Sequence, residues 1–116
     1  MPAEILLGTN GLTATELIAL ARENAKIRIS DEAISAIKKS RAIIDSLAAS
    51  ETPVYGISTG FGALANRHIA VEDRVQLQKS LIRSHAAGIG PAVEVEVVRA
   101  LMFLRLKTLC SGRTGV

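Results

Sequence analysis

The sequence predicts a mainly α-helical fold with minor short β segments, and three observations carry that reading. Ala, Ile, Leu, Glu, Lys and Arg, all compatible with helices, dominate the composition. Aromatic residues are only 3% of the chain, so the core is expected to be aliphatic. Apolar residues recur at helical spacing behind recognisable capping residues. With 48% hydrophobic and 22% charged residues, 116 residues suit one small packed domain and argue against wholesale disorder.

Along the chain, Glu4–Leu7 followed by Gly8-Thr9-Asn10-Gly11 predicts a short strand and a turn, Asn-Gly being a strong turn pair. Thr13 and Glu16 form a Thr-x-x-Glu capping box that opens a first helix. Leu17, Ile18, Leu20 and Ala21 are expected on its apolar face. Ile27-Arg28-Ile29 alternates as a short strand does. Ser30 caps a second helix, with Asp31 and Glu32 where the dipole favours negative charge. On that helix Ile34, Ile37, Ile44 and Leu47 fall at helical spacing, and Lys38, Lys39 and Arg41 face away. Pro53 ends the pattern. A third helix is expected over 71–87 with Gly88 as its C-terminal cap, and a fourth over 92–109 with Pro91 in its first turn.

The fourth helix is apolar on nearly every side, from Val93 to Leu109. Such a helix is normally buried all round, and a 116-residue bundle has no interior position of that kind. It therefore asks for partners that these residues do not supply, although Arg99, Arg105 and Lys107 can reach water. The terminal Ser111–Val116 stops without a polar tail or closing element and reads as a cut.

Composition also excludes several classes. The net charge of +3 is dispersed along the chain, and with two Phe, one Tyr and no Trp there is little to stack on bases, so no nucleic-acid partner is expected. A single cysteine, Cys110, permits no internal disulfide and no thiolate metal cluster, and no metal site is expected. The start of the chain lacks the basic and apolar regions of a signal peptide, and the longest uncharged apolar stretch, Ala100–Leu104, is far too short to span a bilayer. A cytoplasmic protein without a membrane partner is the expectation.

The most unusual stretch is Val54–Leu64, which holds the only tyrosine and three glycines, Gly56, Gly60 and Gly62. Glycine permits positive φ and close approach of a ligand to the backbone. The spacing fits neither Gly-x-G-x-x-Gly nor the Gly-x-x-x-x-Gly-Lys phosphate loop. Taken alone, the pattern favours an ordinary ordered loop over a site. Likewise His85, sharing a helical face with Val75 and Ile82, reads alone as a core-facing histidine bonded to a carbonyl. His68 has no motif support and is expected on the surface.

Three blocks in order change that balance. VYGISTGFGALANRHI, LQKSLIRSHAAGIG and VVRALMFLRLKTLCSGRTGV, spanning Pro53 to Val116, resemble the histidine and aromatic amino acid ammonia-lyase family. Members are several times longer, largely helical and homotetrameric, so the resemblance implies that residues 1–116 are the N-terminal portion of an ammonia-lyase domain. The family's electrophile is a methylidene-imidazolone ring made from an internal Ala-Ser-Gly, which supplies the hard chemistry. That triad is absent from this chain. Cys110-Ser111-Gly112 resembles it, but its surroundings match a different family block, and no ring is expected there.

The resemblance assigns Tyr55, opening the Tyr-Gly-x-x-Thr-Gly-Phe-Gly motif, as the base that takes the substrate's β proton. A free phenol titrates near about 10, so its phenolate needs stabilising. Gly62 matches the loop glycine that approaches substrate, and Gly60 reads as a turn former. Ser58 stands where many relatives have Asn or Thr, a tolerated variation. Ser84 and His85 match the pair that meets the substrate side chain, and Ser-His resembles histidine lyases. A buried imidazole needs a polar partner, which favours L-histidine, converted to urocanate and ammonia. Some tyrosine aminomutases also carry Ser-His, so a tyrosine ammonia-lyase or aminomutase is the alternative. From another class, a non-catalytic helical module would use the fourth helix to oligomerise. Either way self-association is expected, and the isolated chain is expected to be inactive.

Overall fold

The computed structural model describes residues 4–116. In chain order they form β1 (Glu4–Leu7), α1 (Ala14–Glu23), β2 (Lys26–Ile29), α2 (Asp31–Ala49), a 3₁₀ turn (Gly62–Leu64), α3 (Val71–His85) and α4 (Val95–Leu109). The mainly helical reading with two short strands is therefore correct. The chain divides into two compact units, one made of the described residues up to Ile43 together with Ala92–Val116, the other of Ile44–Pro91.

In the first unit, β1 and β2 pair in parallel, Ile5 opposite Ile27 and Leu7 opposite Ile29. Parallel pairing requires a crossover, and α1 supplies it. Its start is the capping box foreseen from sequence: Glu16 N donates to Thr13 Oγ1 (3.3 Å), and Thr13 N donates to Glu16 Oε2 (2.8 Å). Asn24, in the left-handed region at φ 56°, ends the helix and turns the chain into β2. Ser30 caps α2, its Oγ accepting from Ala33 N at 3.1 Å.

Ile5, Leu7, Ala25, Ala33, Phe103 and Cys110 form the buried core of this unit, with Leu17, Leu20, Ile37 and Leu106 packed around them. Phe103, 1% exposed, is its largest side chain. Burial of a side chain of that size contributes about 1.5–3 kcal/mol. α1 packs on α4, and Arg22 bridges them with Nε 2.8 Å from Glu96 Oε2. That pair is exposed and is worth at most about 1 kcal/mol. Lys107 reaches back to Gly8 O at 2.7 Å.

Four details differ from the sequence reading. Ile18 and Ile34 are exposed rather than inward. α3 ends at His85, its capping amide at Ala86 bonded to Ile82 O and Arg83 O, so Gly88 caps nothing. α4 begins at Val95, which leaves Pro91 ahead of its first turn. Gly60 is not a positive-φ turn former. On α4, Val95, Leu101, Met102 and Leu104 stand exposed, and only Phe103 is buried.

Candidate active-site loop

The second unit runs from the last turn of α2 through the glycine loop into α3. Arg74, on α3, donates to Ala48 O (2.9 Å) and Ile69 O (3.1 Å), tying the end of α2, the loop exit and α3 together. The loop closes on itself through its backbone. Ile69 N donates to Ser58 O (2.9 Å), Gly60 N donates to Arg67 O (3.1 Å), and Thr59 pairs with His68 in an antiparallel bridge. His68 is exposed, as its sequence context implied.

Beneath this closure sit two hydroxyl residues, Ser58 and Thr59, 0% and 2% exposed. Ser58 Oγ accepts from Val54 N at 3.0 Å. Thr59 Oγ1 accepts from Gly56 N at 3.3 Å and donates to Gly60 O at 3.0 Å. Burying a hydroxyl is costly unless it is bonded, and both are. The sequence reading dismissed Ser58 as a tolerated variation and did not single out Thr59. The signal was a Ser-Thr pair between glycines, where short hydroxyl side chains can take over backbone bonds that helix or sheet would otherwise make.

Tyr55 projects from this frame, 63% exposed, and its ring meets the edge of Phe61 in a T-shaped contact with centroids 5.7 Å apart. Such pairs contribute about 0.5–1.5 kcal/mol beyond burial. The two glycines differ in purpose. A Cβ on Gly60 would stand 2.5 Å from Leu64 Cβ, so close packing against the 3₁₀ turn requires glycine there. Gly62 instead adopts φ +56° with open space where a side chain would be, which leaves its backbone approachable.

Ser84 and His85 close α3 at its exposed end. Ser84 Oγ donates to Leu81 O (2.9 Å), and His85 Nδ1 lies 2.9 Å from the same carbonyl and 3.0 Å from Ser84 Oγ. A carbonyl only accepts, so Nδ1 carries a proton, and in the neutral ring Nε2 is left as an acceptor. The carbonyl bond foreseen for an ordinary histidine is present, but the core-facing environment is not. Val75 and Ile82, on the same face, are exposed too.

Cys110-Ser111-Gly112, which resembles the ring-forming triad, is a packed helix end. Cys110 is buried, its N bonded to Leu106 O, Ser111 N is bonded to Thr108 O, and a Cβ on Gly112 would lie 2.8 Å from the backbone carbon of Ala36. These residues do not fit a ring-forming site.

A family model described as aromatic amino acid lyase matches residues 12–116. The chain belongs to the aromatic amino acid lyase family. Over 112 residues it is 61% identical to a histidine ammonia-lyase of Streptomyces coelicolor, covering 97% of this chain and 22% of that protein. Among solved structures, an ergothionase from Treponema denticola superposes with a TM-score of 0.92 at 31% identity, over 97% of this chain and 23% of that one. A tyrosine aminomutase from Streptomyces globisporus superposes with a TM-score of 0.88 at 33% identity, over 100% of this chain and 22% of that one. This lyase-family chain thus spans about a fifth of the length of those relatives. Among its described residues, no helix is long and apolar enough to cross a membrane.

Proposed function

We propose that residues 1–116 are the N-terminal portion of an ammonia-lyase domain in an enzyme that eliminates ammonia from L-histidine to give urocanate. The observation that carries this reading is the Ser84–His85 pair at the open end of α3, in a chain 61% identical to a histidine ammonia-lyase. With Nδ1 committed to Leu81 O, neutral His85 offers Nε2 as an acceptor. A substrate imidazole brings the matching N–H donor.

In this reading Tyr55, as phenolate, takes the β proton of the substrate, and Gly62 brings its backbone against it. Ser84 holds the His85 ring. The electrophile is a methylidene-imidazolone ring built from an Ala-Ser-Gly outside these residues, and it supplies the activation that makes ammonia a leaving group. The remaining donors to the site and to the phenolate come from elsewhere in a homotetramer. Residues 1–116 alone carry no turnover.

The test is the full-length enzyme assayed with L-histidine and L-tyrosine, with product identity read by mass. Urocanate and free ammonia from histidine are expected, together with a loss of about 10²-fold or more in kcat for Tyr55→Phe. Exclusive turnover of tyrosine would replace the substrate assignment, and retention of nitrogen in a β-amino acid would point to an aminomutase. One observation favours a second reading, a non-catalytic oligomerisation module: the exposed Leu101, Met102 and Leu104 of α4. A natural coding sequence lacking any Ala-Ser-Gly would select it. Both readings expect self-association, and a monodisperse monomer in sedimentation would count against both.

A further inference from the structure

The ring of Tyr55 is poorly enclosed. It is 63% exposed, and Phe61 is the aromatic ring it meets among the described residues. Packing from these residues alone therefore does not fix where the phenolic oxygen points. Side-chain direction then depends on the backbone, because the φ and ψ of a residue select its χ1 well. The backbone on each side of Tyr55 is held in the same way. The amide before it, Val54 N, ends on Ser58 Oγ, and the amide after it, Gly56 N, ends on Thr59 Oγ1.

On the reading of Tyr55 as the base, we propose that Ser58 and Thr59 are positioning residues. Thr59 Oγ1 holds the peptide plane after Tyr55 through Gly56 N–H. Ser58 holds Val54 from both sides, its hydroxyl accepting from Val54 N–H and its own N–H donating to Val54 O in the plane before Tyr55, so that the phenolic oxygen is presented in one orientation. Three features single this pair out. Ser58 and Thr59 are the two buried polar side chains among the described residues, so their bonds are shielded from competing water. The Thr59 proton is committed to Gly60 O, which leaves the oxygen's lone pairs for Gly56 N–H. The pair is itself anchored, because Ser58 N donates to Val54 O and Ser58 O accepts from Ile69 N. An apolar pair of similar volume would fill the same space without these bonds, so filling space alone does not call for hydroxyls here.

The decisive experiment is a double-mutant cycle of Thr59→Val with Tyr55→Phe in the full-length enzyme, with kcat and KM measured for L-histidine. In the Tyr55 background, Thr59→Val is expected to lower kcat about 10- to 100-fold with KM little changed, the scale set by misplacing a catalytic group by about an ångström. In the Tyr55→Phe background the same change is expected to cost less than about 3-fold, because the group it positions is gone. Thr59→Ser, which keeps the hydroxyl, should restore most of kcat. An equal fold-loss in both backgrounds, or an effect confined to KM, would overturn the positioning role while leaving the base assignment standing. A Tyr55→Phe enzyme with intact turnover would remove the base assignment and the positioning role together, and it is recognised from that single variant. If circular dichroism shows that Thr59→Val fails to fold, Ser58→Ala goes through the same cycle and is judged by the same outcomes.

Discussion

In the first unit the buried side chains are Ile5, Leu7, Ala21, Ala25, Ala33, Phe103 and Cys110; in the second they are Ser58 and Thr59. The first is therefore held by removal of apolar surface from water, which is non-directional and tolerant of small shifts. The second is held by hydrogen bonds, which are directional and fail abruptly when one partner goes. With Tyr55 as the proposed base, the second unit gains from the second kind of restraint. It fixes peptide planes rather than filling a volume.

The widest separation between the units is expected from Phe103→Ala. Removing a fully buried ring should cost about 3–5 kcal/mol in denaturant unfolding. Hydrogen exchange should show the largest loss of protection on the amides of β1, β2 and the start of α2. A cost under about 1 kcal/mol would mean that the first unit lacks the apolar core described above.

Next comes Ser58→Ala, which strands the Val54 N–H in a half-buried position. A cost of about 1–3 kcal/mol is expected, with faster exchange at Val54 and Ile69. Unchanged exchange at both amides would show that water replaces the hydroxyl and that the second unit is not held as argued.

The smallest effect concerns Glu16. The hydrogen bond from the Thr13 side chain, and then that from its backbone, hold the Glu16 carboxyl below its ordinary value. A carboxylate lowered in the folded state stabilises above its unfolded pKa, and that contribution is lost as pH falls through the lowered value. Stability should therefore decline on acidification slightly more steeply in the parent chain than in Glu16→Gln, as read by melting temperature across the acid range. Identical slopes would show that the capping box carries no pH-dependent stability.

The same contrast explains what was legible beforehand. Strands, the starts of α1 and α2 and the apolar character of α4 follow from periodicity and caps, because burial repeats with the helix period. The Thr13 and Ser30 caps were readable from residue type alone. Ile18 and Ile34 obey the same periodicity yet lie outside, since one helix face is wider than the surface available to cover it here. Within the site, Tyr55, Gly62, Ser84 and His85 came from motif resemblance, and no periodic rule would have found them. Ser58 and Thr59 escaped because a buried hydroxyl is indistinguishable in sequence from a solvated one. Only the positions of Val54 N and Gly56 N reveal what they do. Gly60 was misread for a related reason: the demand there is steric, from Leu64, and not conformational.

The enclosure of Cys110 has a practical side. The chain's one thiol is shut inside the first unit, so thiol-directed dyes meet almost no background on these residues. His68 touches the loop through its main chain, in the bridge to Thr59, while its side chain is exposed. A fluorophore attached to a cysteine at position 68 would therefore sit one bridge away from the Tyr55 frame without replacing any side chain that holds it, giving an optical view of the loop in real time.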